Sequence, residues 1–315
     1  MLLNQLLNIK YPIIQGAMAN IADGKFAATV SQCGALGIIA TGSMNEVQAR
    51  EEIRICKSLT EQPFGVNVML MNPYCDQIID VIIEEKVPVV TTGAGNPGKY
   101  MEKLKNAGIK VLPVVPSVAL AKRMERSGAD AVIVEGGESG GHVGEMTTMA
   151  LVPQVKDAVS IPVIAAGGIG DGRGVAAAFA LGAIGVQVGT CLLAASECPI
   201  HQNYKDIVFK AKDTDTVVTG RSVNTPVRIY KNKMAKNYLA LEGKFESREE
   251  LERLTLGSLR KAVVDGDVNS GSFMMGQIAG MIKEEKSMKD IIEGLIASLK
   301  QTYINLIETM EDLYD

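Results

Sequence analysis

The run Glu135-Gly136-Gly137-Glu138-Ser139-Gly140-Gly141-His142 carries a dense set of chemically useful groups. Glycines let backbone approach a flat ligand, and the run ends on one of the chain's 2 histidines, a side chain suited to proton transfer near neutral pH. Alone, it equally describes a glycine-rich turn beside a solvated histidine. Two further glycine segments strengthen the ligand reading. Ala165-Ala166-Gly167-Gly168-Ile169 precedes a helical stretch that begins near Asp171, and Gln187-Val188-Gly189-Thr190 follows the next apolar run. Free N–H groups beside a helix start bind anions, so two such segments side by side form a phosphate cradle. A turn needed only for packing is the alternative for either half. Gly16-Ala17-Met18-Ala19 would let a ring system lie close to backbone, and Asn67 would bond its polar edge. Read singly, Met18 is core filling and Asn67 a satisfied polar group. The second histidine, His201, reads as a loop residue.

Groups so far apart in the chain converge only if a regular scaffold gathers them. From Pro12 to Ala194, short β-branched runs alternate with amphipathic stretches. The predicted strands are Pro12–Gly16, Leu36–Ala40, Phe64–Leu70, Val87–Thr92, Lys110–Val115, Ala131–Glu135, Pro162–Ala166 and Gly185–Gly189. Helices fill the gaps, as at Met44–Leu59 and Val118–Ser127. Three of them stop at a glycine before the next strand, in Asn106-Ala107-Gly108, Arg126-Ser127-Gly128 and Leu181-Gly182-Ala183. An eightfold βα count predicts an α/β fold, a closed (β/α)8 TIM barrel, which carries its functional groups just after its strands. Most of the segments above lie there, with Asn67 inside the third strand. After Ala194 the rhythm breaks. Residues 200–260 are predicted to form a lid inserted after the eighth strand, with a helix at Ser247–Arg260. Residues 1–199 and 261–315 then make the barrel with C-terminal helices at Gly271–Glu284 and Met288–Leu313.

Charge and cysteines narrow the function classes. The 315 residues carry a formal net charge of −4, which gives no broad positive field for nucleic acid. Five cysteines without a CxxC pair argue against a bound metal and against a disulfide framework, and favour a reducing cytoplasm. Gly174–Ala195 is uncharged and long enough to cross a bilayer, but Leu181-Gly182-Ala183 splits it into a helix and a strand, so no membrane span is expected. Residues 1–11 lack the pattern of a signal peptide.

The segments Gln15-Gly16-Ala17-Met18-Ala19, Glu138-Ser139-Gly140-Gly141-His142-Val143-Gly144, Ile164-Ala165-Ala166-Gly167-Gly168-Ile169 and Gln187-Val188-Gly189-Thr190 together resemble the nitronate monooxygenase superfamily. Lys261–Gly280, with Gly266-Asp267-Val268, Gly271-Ser272 and Gly276-Gln277-Ile278-Ala279-Gly280, resembles one branch of it, the flavin-dependent enoyl-acyl-carrier-protein reductase II of bacterial fatty acid synthesis. The resemblance implies bound FMN, NADH or NADPH as co-substrate, an acyl carrier protein presenting the enoyl thioester, and a homodimer. It implies that His142 is catalytic. It also implies that Ala17, Met18, Asn67, Glu135, Gly140, Gly141, Gly167, Gly168, Gln187, Val188, Gly189 and Thr190 contact the flavin. Glu135 and Ser139 stand where nitronate monooxygenases tend to have Gln and Ala. Two alternatives stay open: a nitronate monooxygenase using the same histidine, and a non-catalytic barrel that binds FMN or a sugar phosphate. The basic run Arg228, Lys231, Lys233 and Lys236 reads either as a solvated lid surface or as the face that meets an acidic carrier.

Overall fold

The computed structural model describes residues 1–242 and 248–312. Its strands are β1 (Ile13–Gln15), β2 (Gly37–Ala40), β3 (Phe64–Met69), β4 (Val89–Gly93), β5 (Lys110–Val115), β6 (Val132–Glu135), β7 (Gly141–His142), β8 (Val163–Ala166), β9 (Val186–Val188), β10 (Thr216–Thr219) and β11 (Val227–Tyr230). Leaving aside β7, β10 and β11, eight parallel strands pair in the order β1-β9-β8-β6-β5-β4-β3-β2, and a bridge from Ile14 to Leu36 closes the ring. This is the expected (β/α)8 barrel, each strand within about two residues of its predicted bounds.

Around it run α2 (Gly24–Gln32), α3 (Glu46–Leu59), α4 (Cys75–Glu84), α5 (Gly98–Asn106), α6 (Val118–Arg126), α7 (Thr148–Ala158), α8 (Gly172–Ala180) and α9 (Gln202–Lys210), after a short α1 (Leu3–Leu7). The glycines that were expected to end helices adopt left-handed φ values at Gly108 (+75°), Gly128 (+91°) and Gly182 (+95°). No helix among the described residues is long and apolar enough to cross a membrane. Gly174–Ala195 divides as expected, between α8 and β9.

The twofold period of a strand decides what fills the barrel. It sends Ile14, Ile38, Val89, Leu112, Ile133 and Ile164 inward, where they form a core of their own with Leu3 and Leu7 of α1. α1, which the sequence patterns do not announce, plugs the end at which the strands begin, with Leu3 N–H donating to Ile184 O at 2.9 Å. At the other end the same period brings Gly16, Ala40, Gly93 and Ala166 inward. These residues are too small to fill the mouth, so the barrel opens there.

The insertion departs from expectation at its edges. α9 buries Tyr204 and Val208 in the core shared by strands and outer helices, so this first part of the insertion, through Ala211, packs with the barrel. The remainder holds the antiparallel hairpin β10–β11, α10 (Lys233–Glu242) and α11 (Arg248–Thr255) around a small core of Ile229, Met234, Ala235, Tyr238 and Leu251. The predicted helix Ser247–Arg260 breaks at Gly257, whose φ is +68°, leaving α12 (Ser258–Arg260) and a π-helical turn at Lys261–Asp265. Ser247 lies outside the described residues. The predicted helix Gly271–Glu284 is also corrected. Only Gln277–Met281 turns, as a 3-10 helix, because the backbone ahead of it is spent on cross-chain bonds at the barrel mouth. α13 (Met288–Asp312) agrees with its prediction, except that the expected end, Leu313, lies outside the described residues.

Candidate active site

Register brings the functional side chains together. Glu135 on β6 pairs with Ala166 on β8, which pairs with Gln187 on β9, so three strand ends meet on one side of the mouth. Opposite them Ala40 pairs with Asn67 and Asn67 with Thr91. Between the two groups lies a hollow in two adjoining parts that share some of their lining. One, of about 100 Å³, sits between the loops after β8 and β9 and the segment around Gly276. The other, of about 410 Å³, crosses the mouth. Ala17, Met18, Glu135, Gly140, Gln187 and Met274 border both.

The smaller part has the makings of an anion seat. Among the described residues, the N–H groups of Gly167, Gly168, Gly189 and Thr190 donate to no protein acceptor. Gly167 and Gly168 take φ values of +91° and +72°, which aim successive amides in a way a side-chain-bearing residue resists. A Cβ on Gly189 would meet nothing nearer than Met18 Sδ at 3.9 Å. The start of α8 adds less than expected, because Asp171 Oδ1 already accepts Arg173 N–H at 2.9 Å. Thr190 Oγ1 accepts Gly276 N–H at 2.9 Å, which ties the C-terminal segment over this part. Val188 is buried, and its carbonyl accepts Gly16 N–H at 2.8 Å.

The larger part is bordered by the titratable side chains of Glu135 and His142. Gly141 and Asn67 border it too. Asn67 Nδ2 donates to Thr91 Oγ1 at 2.9 Å, leaving its Oδ1 free. Glu135 opens only into the hollow, and burial pushes its carboxyl up to about 7. Ser139 Oγ lies close enough to offset this partly, yet it is buried without a hydrogen bond of regular geometry. His142 is exposed to the hollow, and the surrounding protein still pushes its imidazole below the usual range, so the neutral form prevails at pH 7.

His142 owes its position to the lid. β7 pairs with β11, setting His142 opposite Val227 and Gly141 opposite Arg228. The Arg228 guanidinium, half-buried, donates from Nε and Nη2 to Gly137 O at 3.1 and 2.8 Å, and from Nη1 to Thr216 Oγ1 at 3.1 Å. It therefore braces the glycine run from the insertion, half-buried, and is not an exposed member of the basic run Lys231, Lys233 and Lys236. Lys231, Lys233 and Lys236 are exposed.

Sequence reasoning missed Glu138, whose two carboxylate oxygens accept Thr148 N–H at 3.0 Å and so cap α7. It missed the roles of Arg228, Met274 and Gly276 as well. Glu138 lies in plain view in the glycine run, but its partner comes ten residues later. Several glycines of that run also serve packing. A Cβ on Gly140 would come within 2.6 Å of Met275 C, and one on Gly276 within 2.6 Å of Glu138 O. His201 caps α9, its Nδ1 accepting Asn203 N–H at 3.0 Å, in keeping with a structural role.

Residues 1–78 and 71–298 match the family model for nitronate monooxygenase. The structure superimposes on that of FabK from Thermotoga maritima with a TM-score of 0.95, at 50% identity over 98% of each chain. A probable nitronate monooxygenase of Staphylococcus aureus is 36% identical, covering 87% of this chain and 90% of its own. A 5-hydroxy-7a-methyl-1-oxo-octahydro-1H-indene-4-carboxyl-CoA dehydrogenase of Rhodococcus jostii is 31% identical over 94% of both chains.

Proposed function

The chain belongs to the nitronate monooxygenase family, and on that premise we propose that it is an FMN-dependent enoyl-[acyl-carrier-protein] reductase that saturates trans-2-enoyl thioesters with electrons from NADH or NADPH. One observation carries the reading: the unpartnered amides of two glycine loops and the imidazole of His142 border two adjoining hollows that share part of their lining. The high identity to FabK over the whole chain supports this branch of the family.

The residues present fit the cofactor. Gly167, Gly168, Gly189 and Thr190 offer amide donors for its phosphate in a space that a Cβ on Gly189 would enter. Asn67 Oδ1 and the unpartnered Ser139 Oγ offer polar contacts to a ring. When bound, FMN supplies hydride chemistry between a nicotinamide and the β-carbon of an enoyl thioester. His142 then faces the thioester, where its neutral imidazole donates a hydrogen bond to the developing enolate oxygen or relays a proton to the α-carbon, taking one from solvent on its other ring nitrogen. Met18, Met69, Val114, Val143 and Met274 keep the rest of the hollow apolar, which disfavours water beside the reacting carbons. Glu135, protonated up to about pH 7, adds little negative charge to this apolar space. Lys231, Lys233 and Lys236 follow β11 directly and give an acidic carrier protein a complementary face beside the mouth.

A second reading rests on His142. An imidazole bordering the hollow is equally placed to help activate a nitronate, as a nitronate monooxygenase would use it. One experiment separates the two. The purified yellow protein is reduced anaerobically by NADH or NADPH and then offered crotonyl thioester. Prompt reoxidation supports the reductase. No reoxidation, together with oxygen-dependent turnover of a nitronate, assigns the other activity.

A further inference from the structure

The uppermost inward positions on the β2–β4 side of the mouth are unusually empty. Gly93 ends β4 two residues beyond Thr91 and four beyond the inward-facing Val89, so a side chain there would point into the barrel mouth. A Cβ built on Gly93 has no atom within 4 Å, and its φ lies outside the left-handed range that would strain a larger residue. Beside it, Met69 is paired in register with Gly93, and a Cβ on Gly42 would sit 3.4 Å from Met69 Sδ, an ordinary contact. Ala40, Gly42, Met69, Gly93 and Ala94 all border the larger part of the hollow, and none carries a polar side chain.

Topology says what such a space receives, given the reductase reading above, on which this inference rests. In the closed ring β2 stands opposite β6, and His142 follows β6. The lid and its exposed lysines adjoin His142 through the β7–β11 pairing. A carrier docked on that face feeds its thioester in beside β7, and the carbonyl must stop near His142. The hydrocarbon tail beyond the double bond then runs away from His142, across the mouth toward β2, β3 and β4.

We propose that Gly93, with Met69 and Gly42, forms the far wall of an acyl-tail chamber and sets the chain length of the enoyl substrate. Small residues there admit medium and long tails, and bulk at 93 shortens what fits. The chamber recognises only methylenes, so each step in length changes discrimination by roughly 10–200-fold once the wall is reached.

The test uses the flavin-loaded enzyme and a series of butenoyl, hexenoyl, octenoyl and decenoyl thioesters. Gly93→Ala and Gly93→Val are compared with wild type, with flavin content and anaerobic reduction by nicotinamide measured on the same samples. The expected result is graded: butenoyl kcat/KM holds within about threefold, and decenoyl kcat/KM falls by roughly tenfold or more in Gly93→Val, less in Gly93→Ala. Met69→Ala, which adds room, shifts the preference toward longer chains. Equal losses at every length, or no loss at any, overturn the inference alone. Folded Gly93→Val that has lost flavin also overturns it, since the space would then seat the ring. A wild-type enzyme that reduces no enoyl thioester of any length defeats the reductase reading and this inference together.

Discussion

Placing a carboxylate at position 189 tests the phosphate cradle directly. Gly189 has room for one: its φ is −134°, and a Cβ there would have Met18 Sδ, at 3.9 Å, as its nearest neighbour. Gly168 is the poorer choice, because its φ of +72° and the Glu138 Cβ only 3.3 Å away would confuse lost folding with lost binding. The carboxylate introduced by Gly189→Asp, about 4 Å from a phosphate charge in a site of effective dielectric near 20, repels it by about 4 kcal/mol. That is roughly a thousandfold in affinity. Gly189→Asp should therefore purify folded and colourless, and its flavin-free form should bind added FMN roughly three decades more weakly than wild type. Gly189→Ala, whose Cβ enters the same space without charge, should weaken FMN binding far less than Gly189→Asp. Absorbance of released flavin gives stoichiometry, quenching of flavin fluorescence gives affinity, and far-ultraviolet circular dichroism with a melting curve confirms folding. A Gly189→Asp protein holding stoichiometric flavin with near wild-type affinity would refute the cradle as the phosphate seat.

Three further outcomes follow from the same geometry. His142→Ala should keep flavin and its reduction by nicotinamide while slowing enoyl reduction by roughly 10²–10⁴-fold in single-turnover measurements; equal loss in both half-reactions would make the residue a cofactor contact. Glu135 keeps its proton up to about pH 7 in the folded, flavin-free protein, whereas the unfolded chain releases it near the ordinary value of 4.5. Stability therefore falls as pH rises through that window. Glu135→Gln should raise stability by up to about 3 kcal/mol at about pH 8.5 and by little at about pH 4.5 in urea unfolding, and a pH-independent difference would refute the burial argument. Reversing Lys231, Lys233 and Lys236 to Glu should raise KM for the carrier-bound substrate at low salt and leave an N-acetylcysteamine thioester nearly unchanged; equal effects on both would place carrier docking on another face.

The barrel was legible because its signals are local and repeated. β-branched runs, amphipathic gaps and glycine caps each need only a few neighbouring residues, and Gly108, Gly128 and Gly182 behave as their sequence context implies. Residues close behind the strand ends were legible for the same reason, so His142, Gly168 and Gly189 fall beside one hollow. What escaped depends on partners distant in the chain. The run Gly271–Glu284 has an apolar spacing that suits a helix, yet Gly276 N–H and Gln277 N–H go to Thr190 and Glu138. α1 is too short to show a period, and its role as a plug appears only when Leu3 meets Gly185. Arg228 looked like one more surface cation because nothing nearby in sequence reveals that Gly137 O awaits it.

Glycine is where the sequence is most ambiguous, and the structure shows why. Gly189 and Gly140 look alike in a motif, but the first leaves open space and the second lets Met275 backbone pass at a distance no side chain would allow. The anion seat is built from barrel loops, with the C-terminal segment laid over it. The His142 end is shared with the insertion, since β11 pairs with β7 and Arg228 holds Gly137. A change in the insertion can therefore move His142 relative to the mouth while leaving the amides of Gly167, Gly168, Gly189 and Thr190 where they are. Under the proposed function, cofactor retention and choice of reaction would rest on different parts of the chain.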